Sequence, residues 1–257
     1  MHIRTVETEI ADTIFAGKLH CLQQVESTNT LAAQAAQQGA SEGTLFIADE
    51  QTAGRGRGGH SWHSEPHAGL YFSFVLRPNM RPHDALWISL AAGVAVHHAI
   101  KHVTGLDVDL RWPNDLLILR KKFCGILTEL QSRNTHVEHA IVGIGINVNH
   151  TSFPPDLSDI ATSLGIAAGR ELPREHVLAA VLRAFDDEYK SLNQRGPEPL
   201  LTQLQQASTW IRGKHVHVPE QGGYTGVTCG LNAQGFLLVQ TDSGVLTVMS
   251  GGVREVE

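Results

Sequence analysis

Between Gly69 and Leu76 the chain sets Leu70, Phe72, Phe74 and Leu76 at every second position. A period of two places these four large apolar side chains on one face of a β-strand, and such a face folds only against a core. The next long element has a different period: Asp84 to His102 is apolar at helical spacing and ends at Gly105. Ser27 or Thr28 caps a further helix, through the run Thr28 to Ala36, which stops at Gly39; Arg174 to Asn193 makes another. Thr44 to Ala48, Val108 to Trp112, Leu116 to Leu119, Phe123 to Leu130 and Val137 to Val148 are strand-like between short polar turns, with Pro113 stopping the second of them. The fold class is therefore α+β. Past Ser208 the pattern shortens. Lys214 to Val218, Gly226 to Leu231, Phe236 to Thr241 and Val245 to Met249 alternate with glycine-containing turns and predict a small β-barrel over 208–257, after a main domain over 1–207.

With 257 residues, 42% hydrophobic and 18% charged, the chain can bury a large core. A net charge of -6 gives no basic footprint for DNA. The first twenty residues carry acids and lack a signal-peptide apolar core, and no apolar stretch is long enough to span a bilayer, so the chain is expected to be cytoplasmic. Cys21, Cys124 and Cys229 are far apart and form no CxxC pair, which argues for reduced thiols.

The chemistry is concentrated in Gln51-Thr52-Ala53-Gly54-Arg55-Gly56-Arg57-Gly58-Gly59. Two arginines among four glycines let the backbone fold round an anion while guanidiniums face it. Neither a Walker loop nor a GxGxxG opening of a βαβ unit is present. A solvated surface loop or an RGG-like RNA contact would also fit these residues taken alone.

The loop has company in a fixed order: Ser27-Thr28-Asn29, then GRGR and Trp62, then Arg111-Trp112-Pro113-Asn114-Asp115, then Lys122-Phe123-Cys124-Gly125-Ile126-Leu127, then Gly143-Ile144-Gly145-Ile146-Asn147. This series resembles the bacterial biotin protein ligases, in which STN, GRGR with a tryptophan, [KR]WPND, KxxGILxE and GxGIN follow one another. The resemblance implies a class II synthetase-like mixed β-sheet with flanking helices and a C-terminal SH3-like barrel. It implies that biotin is activated with Mg²⁺ and ATP to biotinyl-5′-AMP and passed to a lysine of a biotin carboxyl carrier protein.

By that resemblance Ser27, Thr28 and Gln51 meet the biotin ring, with Asn29 beside them. Gly54, Arg55, Gly56, Arg57, Trp62, Lys122, Gly125 and Gly143 complete the biotin set. Arg55, Gly56, Arg57, Trp62, Asn114, Lys122 and Asn147 form the nucleotide set. The physical demands agree. A buried polar ring needs partners, because one left unpaired costs about 1–3 kcal/mol. The biotin carboxylate is already ionised, so its attack on the α-phosphorus needs cations that hold two anions together, and Arg55, Arg57 and Lys122 are the candidates. Lys122 is chosen over Arg120 and Lys121 because the motif lysine stands three residues before the glycine of GIL. Transfer needs a neutral acceptor amine, and Asp115 is the expected proton acceptor. Ser27 as a simple helix cap, Trp62 as core packing and Asn114-Asp115 as turn formers are the structural alternatives.

Gly58 and His60 stand where many members have further arginines, and Ser64-Glu65-Pro66-His67 replaces the usual Ser-Pro-x-Gly. The chain has fifteen histidines, and His60, His63, His67, His97, His98 and His102 raise a zinc reading; without a cysteine partner or HExxH, no tightly bound protein-ligated metal is expected. Only some twenty residues precede the motifs, too few for the DNA-binding domain of repressor members, so no DNA partner is expected. Nothing in the sequence decides between a monomer and a homodimer. The rivals are a lipoate-type ligase and a non-catalytic RNA-contacting module.

Overall fold

The structure is a computed structural model, and it describes residues 1–219, 222–249 and 251–256. Its main sheet has seven strands: β1 (Leu19–Val25), β2 (Leu45–Gln51), β3 (Gly69–Leu76), β4 (Asp109–Arg111), β5 (Asp115–Ile118), β6 (Lys121–Arg133) and β7 (His136–Asn147). They run in the order β1-β2-β3-β7-β6-β5-β4. β1 and β2 are parallel and the other pairs antiparallel, which makes the sheet mixed.

Helices α1 (Ile3–Glu9), α2 (Thr28–Gln37), α3 (Leu86–Thr104), α4 (Leu164–Ala168), α5 (Arg174–Arg195) and α6 (Glu198–Ala207) flank it. Leu70, Phe72, Phe74 and Leu76 all enter one core cluster with Val6 of α1, Ile88 and Ala92 of α3, and Val177 and Phe185 of α5, as the alternation in β3 requires. The opposite face carries Val75 and Ile141, which pack on Ala32 and Ala36 of α2. Since α2 covers only part of that face, the stretch beside it is left for a site. α3 stops where expected, with Gly105 in the left-handed region at φ 73°.

A second antiparallel sheet of five strands follows: β8 (Arg212–Val218), β9 (Tyr224–Leu231), β10 (Leu237–Thr241), β11 (Gly244–Val248) and β12 (Arg254–Glu255), in the order β11-β10-β9-β8-β12. It does not stand apart. Trp87, Leu90 and Val94 of α3 share a cluster with Trp112, Trp210, Val216, Leu237 and Val239, and Trp112 Nε1 donates to the Gly235 carbonyl at 3.0 Å. Among the described residues no helix is long and apolar enough to cross a membrane.

α1, β1, α4, α6 and β12 are additions to the elements read from the sequence. α1, α4 and β12 are too short for a periodic pattern to emerge. β1, Leu-His-Cys-Leu-Gln-Gln-Val, is an edge strand whose burial follows no period of two.

Candidate active site

β6 and β7 pair so that Gly125 lies opposite Gly145, and Leu127 opposite Gly143. These glycines make a floor with no side chains, and the reason is space. A Cβ on Gly143 would come 1.8 Å from Asn29 Oδ1, and one on Gly145 would come 2.5 Å from the Trp62 ring. The cavity above them is walled by Ser27, Thr28, Asn29, Gln51, Arg55, Gly56, Arg57, Trp62, Asn114 and Lys122.

The glycine-arginine loop is a narrow finger. Trp62 N–H donates to Gly54 O at 2.9 Å, Arg55 bridges Ser61, and Gly56 N–H donates to His60 O at 2.6 Å. Gly58 and Gly59 turn its tip at φ 68° and 81°. The returning limb lays the Trp62 indole over the glycine floor. There its Nε1 is buried and donates to no acceptor among the described residues.

One continuous polar chain runs along the wall. Gln51 Oε1 accepts from Thr28 N at 2.9 Å and from Thr28 Oγ1 at 3.1 Å. Thr28 Oγ1 lies 2.7 Å from Ser73 Oγ, which donates to Asn29 Oδ1 at 2.6 Å. Asn29 Nδ2 donates to Glu129 Oε2 at 2.9 Å, and Glu129 Oε1 holds Arg55 Nη2 at 2.7 Å. Ser27 is the N-cap residue of α2 but makes no side-chain cap bond, so its hydroxyl can serve the cavity.

The three consecutive cations part company. Arg120 pairs with Glu255 at 2.9 Å, Lys121 donates to Ser158 O, and of the three only Lys122 lines the cavity. Its backbone is clamped by Ile160 O and Thr162 N, its ammonium stands 2.6 Å from Asp115 Oδ1, and it lies 5.3 Å from the Trp62 ring centre. Asp115 also accepts from Arg111 Nη2 at 2.7 Å. Burial pushes the Asp115 carboxyl up, but Lys122 and Arg111 outweigh it and hold the group below its ordinary 3.8.

Three predicted site residues are not cavity walls. Gly54 is buried beneath the finger, where a Cβ would strike Trp62 O at 2.7 Å. Asp115 is the anchor of Lys122 just described. Asn147 donates through Nδ2 to Thr162 O at 3.1 Å and ties β7 to the segment that clamps Lys122. Asn114 does line the cavity while its amide donates to Ile126 O at 2.9 Å. Sequence reasoning gave no role to Ser73 or Glu129. Both were findable by register: Ser73 interrupts an apolar strand, and Glu129 shares a face with Gly125 and Leu127.

The family model described as Biotin/lipoate A/B protein ligase family matches residues 21–147, a span that contains every candidate site residue. The bifunctional ligase/repressor BirA of Bacillus subtilis is 37% identical over 232 residues, covering 90% of this chain and 71% of that protein. This chain belongs to the biotin protein ligase family. Another member, the biotin–[acetyl-CoA-carboxylase] ligase of Mycobacterium tuberculosis, is 32% identical over 92% of this chain and 88% of its own. The biotin protein ligase of Aquifex aeolicus, solved in complex with biotin and ATP, matches with a TM-score of 0.81 and 32% identity over 93% of this chain and 100% of that one. The mixed sheet with flanking helices is thus the catalytic fold of the biotin protein ligases.

Proposed function

We propose that the glycine-floored cavity takes biotin and ATP together, and that the chain is a biotin protein ligase: it makes biotinyl-5′-AMP, releases pyrophosphate, and transfers biotin to a carrier lysine. The observation that carries this reading is the meeting of Lys122, Arg55 and the Ser27-to-Gln51 polar wall over one floor. Biotin's fused ring fits a narrow slot with fixed donors and acceptors. Ser27, Thr28 and Gln51 supply them for the ureido group, and Asn29 sets Thr28 through Ser73.

At the other end of the slot two anions must approach. Lys122 and Arg55 screen the biotin carboxylate and the α-phosphate, Arg57 and the amides near Gly56 take further phosphate oxygens, and Mg²⁺ enters as part of the ATP substrate complex. Arg55 is easily recruited. Its pair with Glu129 is half exposed, and such pairs contribute only about 0–1 kcal/mol. Lys122 is different, because Asp115 fixes its position before any substrate arrives. We therefore assign Asp115 to positioning Lys122 instead of to taking a proton, since a carboxylate held ionised by two cations is a weak base.

The Trp62 indole lies over Gly125 and Gly145 on the cavity floor, a place from which it can swing to cover bound biotin. The carrier of a biotin-dependent carboxylase is the proposed acceptor. Residues 1–207 are proposed as the catalytic domain and 208–257 as an SH3-like domain. The inward pairing of Arg55, with the Arg57 guanidinium donating to Gly251 O, argues against an RNA-contacting loop.

The test is an incubation of the purified chain with Mg²⁺, ATP and biotin, or lipoate in parallel, plus a biotin carrier domain. Biotin-dependent AMP formation and a mass gain on one carrier lysine, both lost in Lys122→Ala, are expected. Turnover with lipoate alone, or with neither acid, would overturn the reading.

A further inference from the structure

We propose that His63, Glu65 and His150 form a binding site for one divalent transition-metal ion, zinc by its ligand chemistry. The site would fasten the returning limb of the glycine-arginine finger to the end of β7. One ligand atom from each of the three lies within 4.8 Å of the others, and the remaining candidate histidines join no such group among the described residues. Two imidazoles and one carboxylate suit zinc and leave a fourth position for water. Four donors about 2.1 Å from a tetrahedral ion stand about 3.4 Å apart, so the three would close by at most about 1.4 Å, a movement that the loop residues His63 and Glu65 can supply.

The second, independent observation is the state of His150. Its ring is 1% exposed, stacks on Phe153 with ring centres 5.3 Å apart, and is fixed in orientation. Tyr71 Oη donates to Glu65 O at 3.0 Å and also lies 3.2 Å from His150 Nε2. Both contacts are satisfied at once only when Nε2 carries the proton, which leaves the lone pair on Nδ1. That nitrogen is buried and has no hydrogen-bond partner. Tyr71 thus acts as the outer-shell group that sets tautomer and aim in metal-ligating histidines. The carboxylate of Glu65 accepts no hydrogen bond and makes no ion pair among the described residues, and its backbone carbonyl already ties it to Tyr71.

The placement gives the ion a purpose. His63 directly follows Trp62, whose indole lies over Gly125 and Gly145, and His150 comes three residues after Asn147. A metal at this point would pin the returning limb of the finger directly after Trp62, with none of its three ligands among the residues that line the cavity. The expectation of no tightly bound metal rests on the lack of a cysteine partner or HExxH motif, and it does not weigh histidines brought together by the fold. The structure pairs His63 with a histidine more than eighty positions away.

The proposal stands apart from the ligase reading and is tested by metal binding alone. Chelator-treated protein is titrated calorimetrically with Zn²⁺, and with Co²⁺ as a spectroscopic probe, in the wild type, His63→Ala, Glu65→Gln and His150→Gln. His150 is buried, so its replacement tests folding as well as binding, and the two loop variants carry the decision. One equivalent of Zn²⁺ is expected for the wild type, with affinity at least about tenfold weaker in each loop variant. The visible cobalt band should be lost in His63→Ala, and Zn²⁺ should slow tryptic cleavage after Arg55 and Arg57 in the wild type only. Absence of stoichiometric binding, or equal affinity in wild type and loop variants, would assign any bound zinc to other histidines and overturn the site.

Discussion

Lys122 Nζ stands 2.6 Å from one oxygen of Asp115, and Arg111 Nη2 holds the other oxygen at 2.7 Å. Asp115→Asn keeps the shape and removes the charge that aims Lys122. The expected result is a fall in kcat/KM for biotinyl-AMP formation of about 10²-fold, the effect of misplacing a catalytic group by about 1 Å. Transfer from preformed adenylate should change far less. Pyrophosphate release and single-turnover transfer measured separately check this. A variant impaired only in transfer would restore Asp115 as the proton acceptor.

The same carboxylate makes a prediction about acid. Its folded pKa lies below its ordinary 3.8, so its stabilising contribution is present above 3.8 and is lost as pH falls through the folded value. The difference in unfolding free energy between wild type and Asp115→Asn should be constant from neutral pH to about pH 4 and shrink below it. Paired denaturant melts measure this, and titration of other groups cancels in the difference. A gap that narrows already between pH 7 and 5 would contradict the assignment.

Gly143 and Gly145 should fail in different ways. Gly143→Ala drives a methyl group into Asn29, which is buried in the polar chain, so it should destabilise the fold by about 1–3 kcal/mol. Gly145→Ala meets the movable indole of Trp62 instead. It should leave the melting temperature nearly unchanged and raise the KM for biotin about tenfold or more. Thermal melts together with steady-state kinetics separate the two.

Glu129 links Asn29 to Arg55. Glu129→Gln retains a hydrogen-bond acceptor for Asn29 and loses the charge held by Arg55. The KM for ATP should therefore shift more than the KM for biotin. Equal shifts in both would place Glu129 in the biotin wall alone.

Much of the site was legible because its chemistry is local. STN, GRGR, WPND, KxxGIL and GxGIN each sit on one turn or strand end, and the residue types announce anions and hydrogen bonds. The long elements were equally plain, since β3 and α3 have strong periods. What stayed hidden depends on distant pairing. Ser73 and Glu129 each carry a local signal, but their link through Asn29 exists because β3, β7 and β6 are neighbours, an order that no local pattern states. The sequence also could not say that Asp115 faces two cations, Lys122 and Arg111, the contacts on which its proposed positioning role rests.

α3 divides its surface between two cores, one under the main sheet and one under the C-terminal strands. A chain cut at residue 207 would therefore be wounded, not trimmed. Trp87, Leu90, Val94 and Trp112 would be left facing water, each large buried side chain forfeiting about 1.5–3 kcal/mol, and the exposed strip would favour self-association. The small sheet acts as the fourth wall of the enzyme, and sedimentation of the shortened chain should find aggregates where the full chain runs as a defined species.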